Sequence, residues 1–176
     1  MDIYKALEND HKELRNLLSE LVDLEEKDSY REVLIENIGK LLSSHSRAEE
    51  SVLYNSMRAI GDSELVMHSY KEHMEAEALL KKMELKEVTG ADWTKTAMEL
   101  RDALLHHIDQ EEHDIFAEAH KMFSAEESNQ MGEAFLKLQS EIKDQGFVKN
   151  SFDLVVNLMP PRFVDKVRSI GSGLGK

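Results

Sequence analysis

The chain has no cysteine among its 176 residues, and its only two prolines are adjacent, at positions 160 and 161. The absence of cysteine excludes disulfides, thiolate metal ligands and a cysteine nucleophile. Because no proline precedes position 160, the strongest helix breaker is missing from most of the chain. A protein without cysteine is also typical of a reducing compartment, and we expect a cytoplasmic location.

Positive charge and long apolar runs are also scarce. Lysine and arginine number 22 against 35 acidic residues, which gives a net charge of −13. Such a chain has no basic stripe to neutralise nucleic-acid phosphates. No apolar run approaches the roughly twenty residues of a membrane-spanning helix, and Met1–Lys5 lacks the features of a signal peptide. We therefore expect neither a nucleic-acid partner nor a membrane span.

Apolar residues instead recur at helical spacing, in five successive stretches. The predicted helices cover about 2–25, 30–58, 63–87, 92–121 and 125–145, and a shorter one covers 163–170. Short connections between long helices place neighbours antiparallel. The prediction is an all-α protein with an up-down-up-down four-helix bundle over residues 1–122. Residues 123–176 are predicted to form a C-terminal helical extension packed on the bundle, with flexible last residues.

Metal-binding residue types repeat along this predicted bundle at a constant offset of 62 positions. The related pairs are His11 and His73, His45 and His107, and Glu49 and Glu111. Apolar residues follow the same offset, as in Leu17 and Leu79, Leu53 and Ile115, and Tyr54 and Phe116. Since core positions share the register, the two halves read as one template with a histidine followed later by His-x3-Glu.

The predicted loops test whether these histidines meet at one level of the bundle. Two residues of an antiparallel helix pair are level when the loop lies midway between them. The midpoints of successive histidines are positions 28, 59 and 90, each at or within two residues of a predicted break. Because each residue advances a helix by about 1.5 Å, all four histidines are predicted to lie near one plane.

The residue types then indicate the chemistry of the site. Residues four apart share a helix face, so each His-x3-Glu presents an imidazole and a carboxylate together. Burying these groups is costly unless something compensates them, and a donor set without thiolate suits iron, manganese or zinc. His106 adjoins His107 and is an alternative ligand, but the repeat favours His107. Four methionines are predicted to fill the core: Met67, Met74, Met83 and Met98.

Four motifs resemble the hemerythrin-like family with an HHE cation-binding domain: Asp10-His11, His45-x3-Glu49, Glu72-His73 and His107-x3-Glu111. The resemblance covers roughly residues 1–120. It implies His11, His45, His73 and His107 as terminal ligands of two iron ions, with Glu49 and Glu111 as bridges beside an oxo or hydroxo group. Manganese or zinc is an alternative metal. The implied partner is a small diatomic molecule, oxygen or nitric oxide, or peroxide.

One departure from the oxygen carriers of this family concerns position 77. The carriers place a histidine four residues after the third-helix ligand, where this chain has Glu77. Glu77 is therefore a possible seventh ligand, and a more anionic set favours ferric iron over reversible oxygenation. The leading expectation is a non-haem di-iron protein that senses, stores or responds to iron, oxygen or nitric oxide. The alternatives are a di-iron enzyme consuming peroxide or nitric oxide, and a reversible oxygen carrier.

Acidic neighbours of the ligands form two further repeat-related pairs. Asp10 and Glu72 are either hydrogen-bond acceptors for histidine N–H groups or merely solvated, and the sequence does not choose between these. Glu50 and Glu112 are predicted to be surface acids, although one of them could orient a ligand.

Overall fold

The computed structural model describes residues 1–25, 29–61, 64–85, 90, 92–145, 158–160 and 163. Its helices are α1 (Ile3–Asp23), α2 (Arg31–Glu49), α3 (Asn55–Ile60), α4 (Glu64–Glu84), α5 (Trp93–Gln110), α6 (Phe116–Met122) and α7 (Ala125–Gln145). Two π-helical turns, Glu50–Tyr54 and Glu111–Ile115, continue α2 into α3 and α5 into α6. No strand occurs among these residues, so the all-α prediction is confirmed. The predicted 163–170 helix lies outside the described residues, apart from Phe163.

Side-chain caps and glycines explain where several helices begin and end. The Asp2 carboxylate accepts from the Lys5 N–H at 2.8 Å, and Asp92 accepts from Lys95 in the same way at 2.8 Å. A capping box precedes α7, because Glu127 accepts from the Ser124 N–H at 2.9 Å and the Glu127 N–H donates to Ser124 Oγ at 3.3 Å. Gly61 ends α3 at a φ of 135°, a conformation that favours glycine.

Four long helical segments form the bundle, and α7 lies outside it. The α1 helix packs against α2 and α5, and α4 packs against the same two helices. The α7 helix contacts both α1 and α2, which agrees with the predicted packing of the C-terminal extension. None of the described helices is long and apolar enough to cross a membrane. The limits of the predicted domains, 1–122 and 123–176, stay a prediction.

The core divides into two apolar clusters with a polar layer between them. One cluster contains Leu14, Leu34, Leu80, Trp93 and Leu100, near the α1–α2 connection. The other is built around buried side chains of α1, the π-helical turns and α7, among them Leu7, Val52, Tyr54, Phe116 and Phe135. The histidines and glutamates of the repeat lie between these clusters.

The prediction that four methionines fill the core is right for Met83, which is 3% exposed, and wrong for the other three. Met67, Met74 and Met98 are 53%, 71% and 44% exposed. Val66 and His73 are the buried positions of α4 beside the first two. Since successive helical residues are about 100° apart around the axis, Met67 and Met74 are turned away from that inward face.

Gly132 lets α7 approach the N-terminus of the chain closely. A Cβ added there would lie 2.7 Å from the Asp2 carbonyl carbon and 2.9 Å from the Ile3 nitrogen. Because backbone atoms cannot move aside as a flexible side chain can, we expect Gly132→Ala to lower the free energy of unfolding by about 1–3 kcal/mol. Chemical denaturation measures this change. Lys137→Ala, at an exposed position of the same helix, is the matched control and should leave the stability unchanged.

Candidate metal centre

Six side chains converge between the two apolar clusters and are called here the ligand cluster: His11, His45, Glu49, His73, His107 and Glu111. All are between 0% and 3% exposed. Glu49 Oε2 lies 3.6 Å from His45 Nε2 and 3.4 Å from His73 Nε2. Glu111 Oε2 lies 3.6 Å from His107 Nε2 and 3.3 Å from His11 Nε2. Each glutamate thus faces one histidine of its own helix and one of a neighbouring helix.

This arrangement has an approximate twofold symmetry that follows the sequence repeat. Exchanging the two halves of the chain converts the contact between Glu49 and His73 into the contact between Glu111 and His11. The donor atoms fall into three overlapping groups whose members lie within 4.8 Å of one another. The groups are His11, His45 and Glu111; His45, Glu49 and His73; and Glu49, His107 and Glu111. Because the three groups share members, the six side chains form one continuous donor cluster rather than three separate ones.

Each histidine of the cluster is oriented by a hydrogen bond to its own carboxylate outside the cluster. His11 Nδ1 donates to Glu112 Oε1 at 2.9 Å, and His73 Nδ1 donates to Glu50 Oε1 at 2.9 Å. His45 Nδ1 donates to Asp10 Oδ2 at 3.1 Å, and His107 Nδ1 donates to Glu72 Oε2 at 3.0 Å. Because a carboxylate only accepts, the proton sits on Nδ1, and the Nε2 lone pair is directed into the cluster.

Most atoms in the middle of the cluster have no hydrogen-bond partner. These are Nε2 of His11 and His45 and both carboxylate oxygens of Glu49 and Glu111. The remaining two Nε2 atoms, of His73 and His107, face each other at 3.0 Å. Buried polar atoms are nearly always paired, so orphans gathered in one place require an explanation. Lone pairs of imidazole and carboxylate aimed at a common centre fit a metal ion.

Burial and the charges of neighbouring groups shift the pKa values of several residues in this cluster. Burial, together with the adjacent Glu111 charge, raises the pKa of Glu49 well above its usual value. Burial lowers the pKa of His45 to about 4. Burial also opposes the charged form of His11, but the nearby Glu111 carboxylate and the hydrogen bond to Glu112 outweigh it and raise the pKa of that imidazole to about 9. Burial is outweighed at Glu111 by interactions with Glu49 and His11, which lower the pKa of that carboxyl. Without a cation, protons on Glu49 and His11 therefore offset the buried charge of the cluster.

The π-helical turns begin directly at or after the cluster glutamates and were not predicted from the sequence. One starts at Glu50, after Glu49, and the other starts at Glu111 itself. Such turns often occur at functional sites. Beyond them, the Tyr54 ring stacks on His73 with centroids 5.7 Å apart, and the Phe116 ring stacks on His11 at 6.4 Å. The aromatic rings shield both imidazoles from solvent.

Of the two shielding aromatic residues, only Tyr54 carries a polar group. Its side chain is fully buried, and its hydroxyl has no partner in normal hydrogen-bond geometry, although Ser69 and Glu49 are its neighbours. Burial, followed by the charges of Glu111 and Glu49, raises its pKa well above the usual value. The related residue Phe116 has no such hydroxyl, so the symmetry of the cluster is broken here.

Glu77 is the predicted ligand that the structure does not bring to the cluster. It belongs to none of the three donor groups. It lines a surface groove between α2 and α4, together with Gly39, Lys40 and Ser43. The rotation of α4 that directs His73 inward therefore directs Glu77 toward that groove.

The alternative ligand His106 is also outside the cluster. Its side chain is 64% exposed, and its Nε2 lies 3.9 Å from Glu72 Oε1. His107, which the repeat favoured, points inward. His68, His113 and His120 are likewise exposed.

The four outer carboxylates answer a question that the sequence left open. Asp10 and Glu72 are acceptors for histidine N–H groups, as one of the two interpretations predicted. Glu50 and Glu112 are partly exposed, as predicted, and the alternative that one of them could orient a ligand is confirmed for both. Their offset of 62, together with their position next to the cluster glutamates, was the available signal. The pairing crosses between helices, however, and depends on helix rotation.

Comparisons with a family model and with a solved structure agree with this fold. The family model of the hemerythrin HHE cation binding domain matches residues 2–119. A crystal structure of a hemerythrin HHE cation binding domain-containing protein from Mycobacterium kansasii superposes with a TM-score of 0.66 at 16% identity. That match covers 90% of this chain and 99% of the other.

A DNA nickase of Nostoc sp. is 26% identical over 145 residues. The match covers 82% of this chain but 41% of the nickase, so the chain spans less than half the length of that relative. The family match, by contrast, covers most of the chain and includes all six residues of the ligand cluster. The chain therefore belongs to the hemerythrin HHE cation-binding domain family.

Proposed function

We propose that this protein binds two iron ions in the ligand cluster and uses them to sense, store or respond to iron, oxygen or nitric oxide. The observation that carries the proposal is the set of orphaned donor atoms in the middle of the bundle. His11, His45, His73 and His107 would hold the ions through Nε2. Glu49 and Glu111, each close to histidines of two helices, would be shared between the ions.

The surrounding residues prepare this site before any ion binds. The outer carboxylates set the imidazole tautomers, and the aromatic rings of Tyr54 and Phe116 limit access of water. Bound iron would supply reversible one-electron chemistry and open coordination positions for a diatomic molecule or peroxide. The donor set also suits manganese and zinc, so the metal content of the protein purified from its own source identifies the physiological ion.

Redox catalysis is a second candidate, and Tyr54 favours it. A buried hydroxyl without a partner, next to Glu49 and stacked on His73, can donate a hydrogen bond to a molecule at the cluster. Reduction of peroxide or nitric oxide by an external electron donor builds negative charge on the substrate oxygen, which such a hydrogen bond stabilises. The site therefore offers an enzyme a group that favours this reaction.

Anaerobic loading with ferrous iron, followed by exposure to oxygen, peroxide or nitric oxide, separates these functions. Slow one-way oxidation seen by absorption supports sensing or storage, and repeated consumption of peroxide or nitric oxide supports an enzyme. An adduct that disappears on degassing supports carriage. Fewer than about one iron per chain after loading would contradict the di-iron proposal, because a pre-oriented donor set should bind metal tightly.

We further propose that the chain has no nucleic-acid partner, although its relative from Nostoc is named a DNA nickase. The net charge of −13 opposes binding to phosphates, and the chain matches only part of that relative. The prediction is that the iron-loaded protein leaves supercoiled plasmid intact at low salt, measured by gel electrophoresis. Nicking that disappears in His45→Ala would overturn this prediction and assign the nuclease activity to the cluster.

A further inference from the structure

The surroundings of the two repeat-related acids Asp10 and Glu72 break the symmetry of the ligand cluster. Glu72 contacts two exposed histidines, because its Oε1 is 3.3 Å and 3.9 Å from Nε2 of His68 and His106. Asp10 is instead covered by α7, the helix outside the four-helix bundle. Gln139 of α7 donates its Nε2–H to Asp10 Oδ2. The acid that orients His107 thus contacts solvent-exposed imidazoles, whereas the acid that orients His45 contacts a buried amide.

The bond from Gln139 leads directly to a cluster histidine. The oxygen that accepts from Gln139, Asp10 Oδ2, also accepts from His45 Nδ1 at 3.1 Å. Gln139 is 6% exposed and Asp10 is 8% exposed, so water has little access to replace either bond. A second residue of α7, Phe135, meets the His45 ring edge-on with centroids 6.1 Å apart. The orientation of His45 therefore depends on a helix that contributes no cluster residue.

We propose that Gln139 is a positioning residue for His45, so that metal binding at the cluster and docking of α7 on α1 and α2 stabilise each other. The inference rests on the proposed metal-binding function. Docked α7 holds Asp10, and Asp10 holds His45 with Nε2 directed at the metal. By thermodynamic linkage, the factor by which docking strengthens metal binding equals the factor by which metal strengthens docking. In a sensor, this coupling would make the docking of α7 depend on whether metal occupies the cluster.

The test uses the full chain, ferrous iron under anaerobic conditions, and two measurements: iron affinity and amide hydrogen exchange. In the native protein, iron should slow exchange in α7 as well as in α4 and α5. In Gln139→Met, which keeps the length of the side chain but has no donor, we expect iron affinity to fall by about tenfold, the lower end of the range for lost partners of metal ligands. Iron should still slow exchange in α4 and α5 but no longer in α7.

Leu138→Ala is the matched control, because Leu138 is fully buried on the same helix and is a neighbour of Gln139 in sequence. It should speed exchange in α7 with and without iron but keep the bond to Asp10 and the iron-dependent slowing. Because α7 stays docked in most molecules, the iron affinity should remain close to native. Gln139→Leu provides a second variant should Gln139→Met fail to fold, since its apolar side chain cannot donate to Asp10. It should show the same uncoupling.

Two outcomes would overturn the inference, and each is distinct from failure of the proposed function. Native affinity together with native slowing of α7 in both Gln139 variants would show that the bond to Asp10 has no such role. Equal uncoupling by Leu138→Ala would show that α7 acts through packing alone. If the native protein takes up no iron, the proposed function fails first and this inference fails with it.

Discussion

Changing His45 and His107 together to alanine is expected to reduce the metal content from about two ions per chain to fewer than one. Each histidine supplies an Nε2 that is pre-oriented by an outer carboxylate. Loss of such an outer partner alone typically weakens metal binding by about 10–100-fold, so loss of the ligand itself should cost at least as much. Elemental analysis after anaerobic loading, together with the visible absorption spectrum, measures the effect.

The neighbouring histidine provides a matched control for this experiment. His106 adjoins His107 in sequence but is 64% exposed and points away from the cluster. His106→Ala should therefore keep the native metal content, and so should His113→Ala, whose side chain is 87% exposed. Loss of metal in His106→Ala with retention in a single His107→Ala variant would show that the repeat register and the geometry select the wrong residue.

The second large effect concerns the stability of the metal-free protein. Glu49 and Glu111 are at most 1% exposed to solvent, and all four of their carboxylate oxygens lack hydrogen-bond partners. Replacing both residues by methionine, which is similar in size and apolar, should raise the free energy of unfolding of the metal-free protein by about 1–4 kcal/mol, as is found when buried charged groups give way to packed apolar ones. The same variant should lose metal binding.

Chemical denaturation in a chelator measures this gain, and the matched control is Glu133→Met, at an exposed position of α7. The control should leave both stability and metal content unchanged. In the double variant His11 loses its contact with Glu111 but keeps the hydrogen bond to Glu112. A fall in metal-free stability would show that the carboxylates stabilise the fold themselves and are not retained at a cost for binding metal.

Much of the site could be predicted from the sequence because the α-helix has a constant rise and a constant period. Its rise places residues of antiparallel helices at one level once the loops are located, and its period places His45 and Glu49 on one face. The six members of the ligand cluster follow from these two regularities and the repeat. Glu77 shows their limit. It lies one turn beyond His73, yet α4 is rotated so that Glu77 lines the groove beside Lys40.

Interactions between helices are less predictable, because they depend on the rotation of each helix about its axis. The hydrogen bond from His11 to Glu112 spans 101 residues, and the bond from His73 to Glu50 spans 23, so each joins two different helical segments. The same dependence explains the exposed positions of Met67 and Met74. The π-helical turns carry no composition signal of their own, since they arise where packing and ligand placement require an additional residue in the turn.

The sequence by itself determined the all-α fold, the antiparallel order of the helices and the six residues of the ligand cluster. These follow from local periodicity and from an offset of 62 residues that both halves share. Only the tertiary structure decided which acid orients which histidine, that Glu77 lies outside the cluster, and that α7 reaches His45 through Gln139 and Asp10. The physical reason is that local periodicity sets which face a residue occupies, whereas the packing of whole helices sets what that face meets.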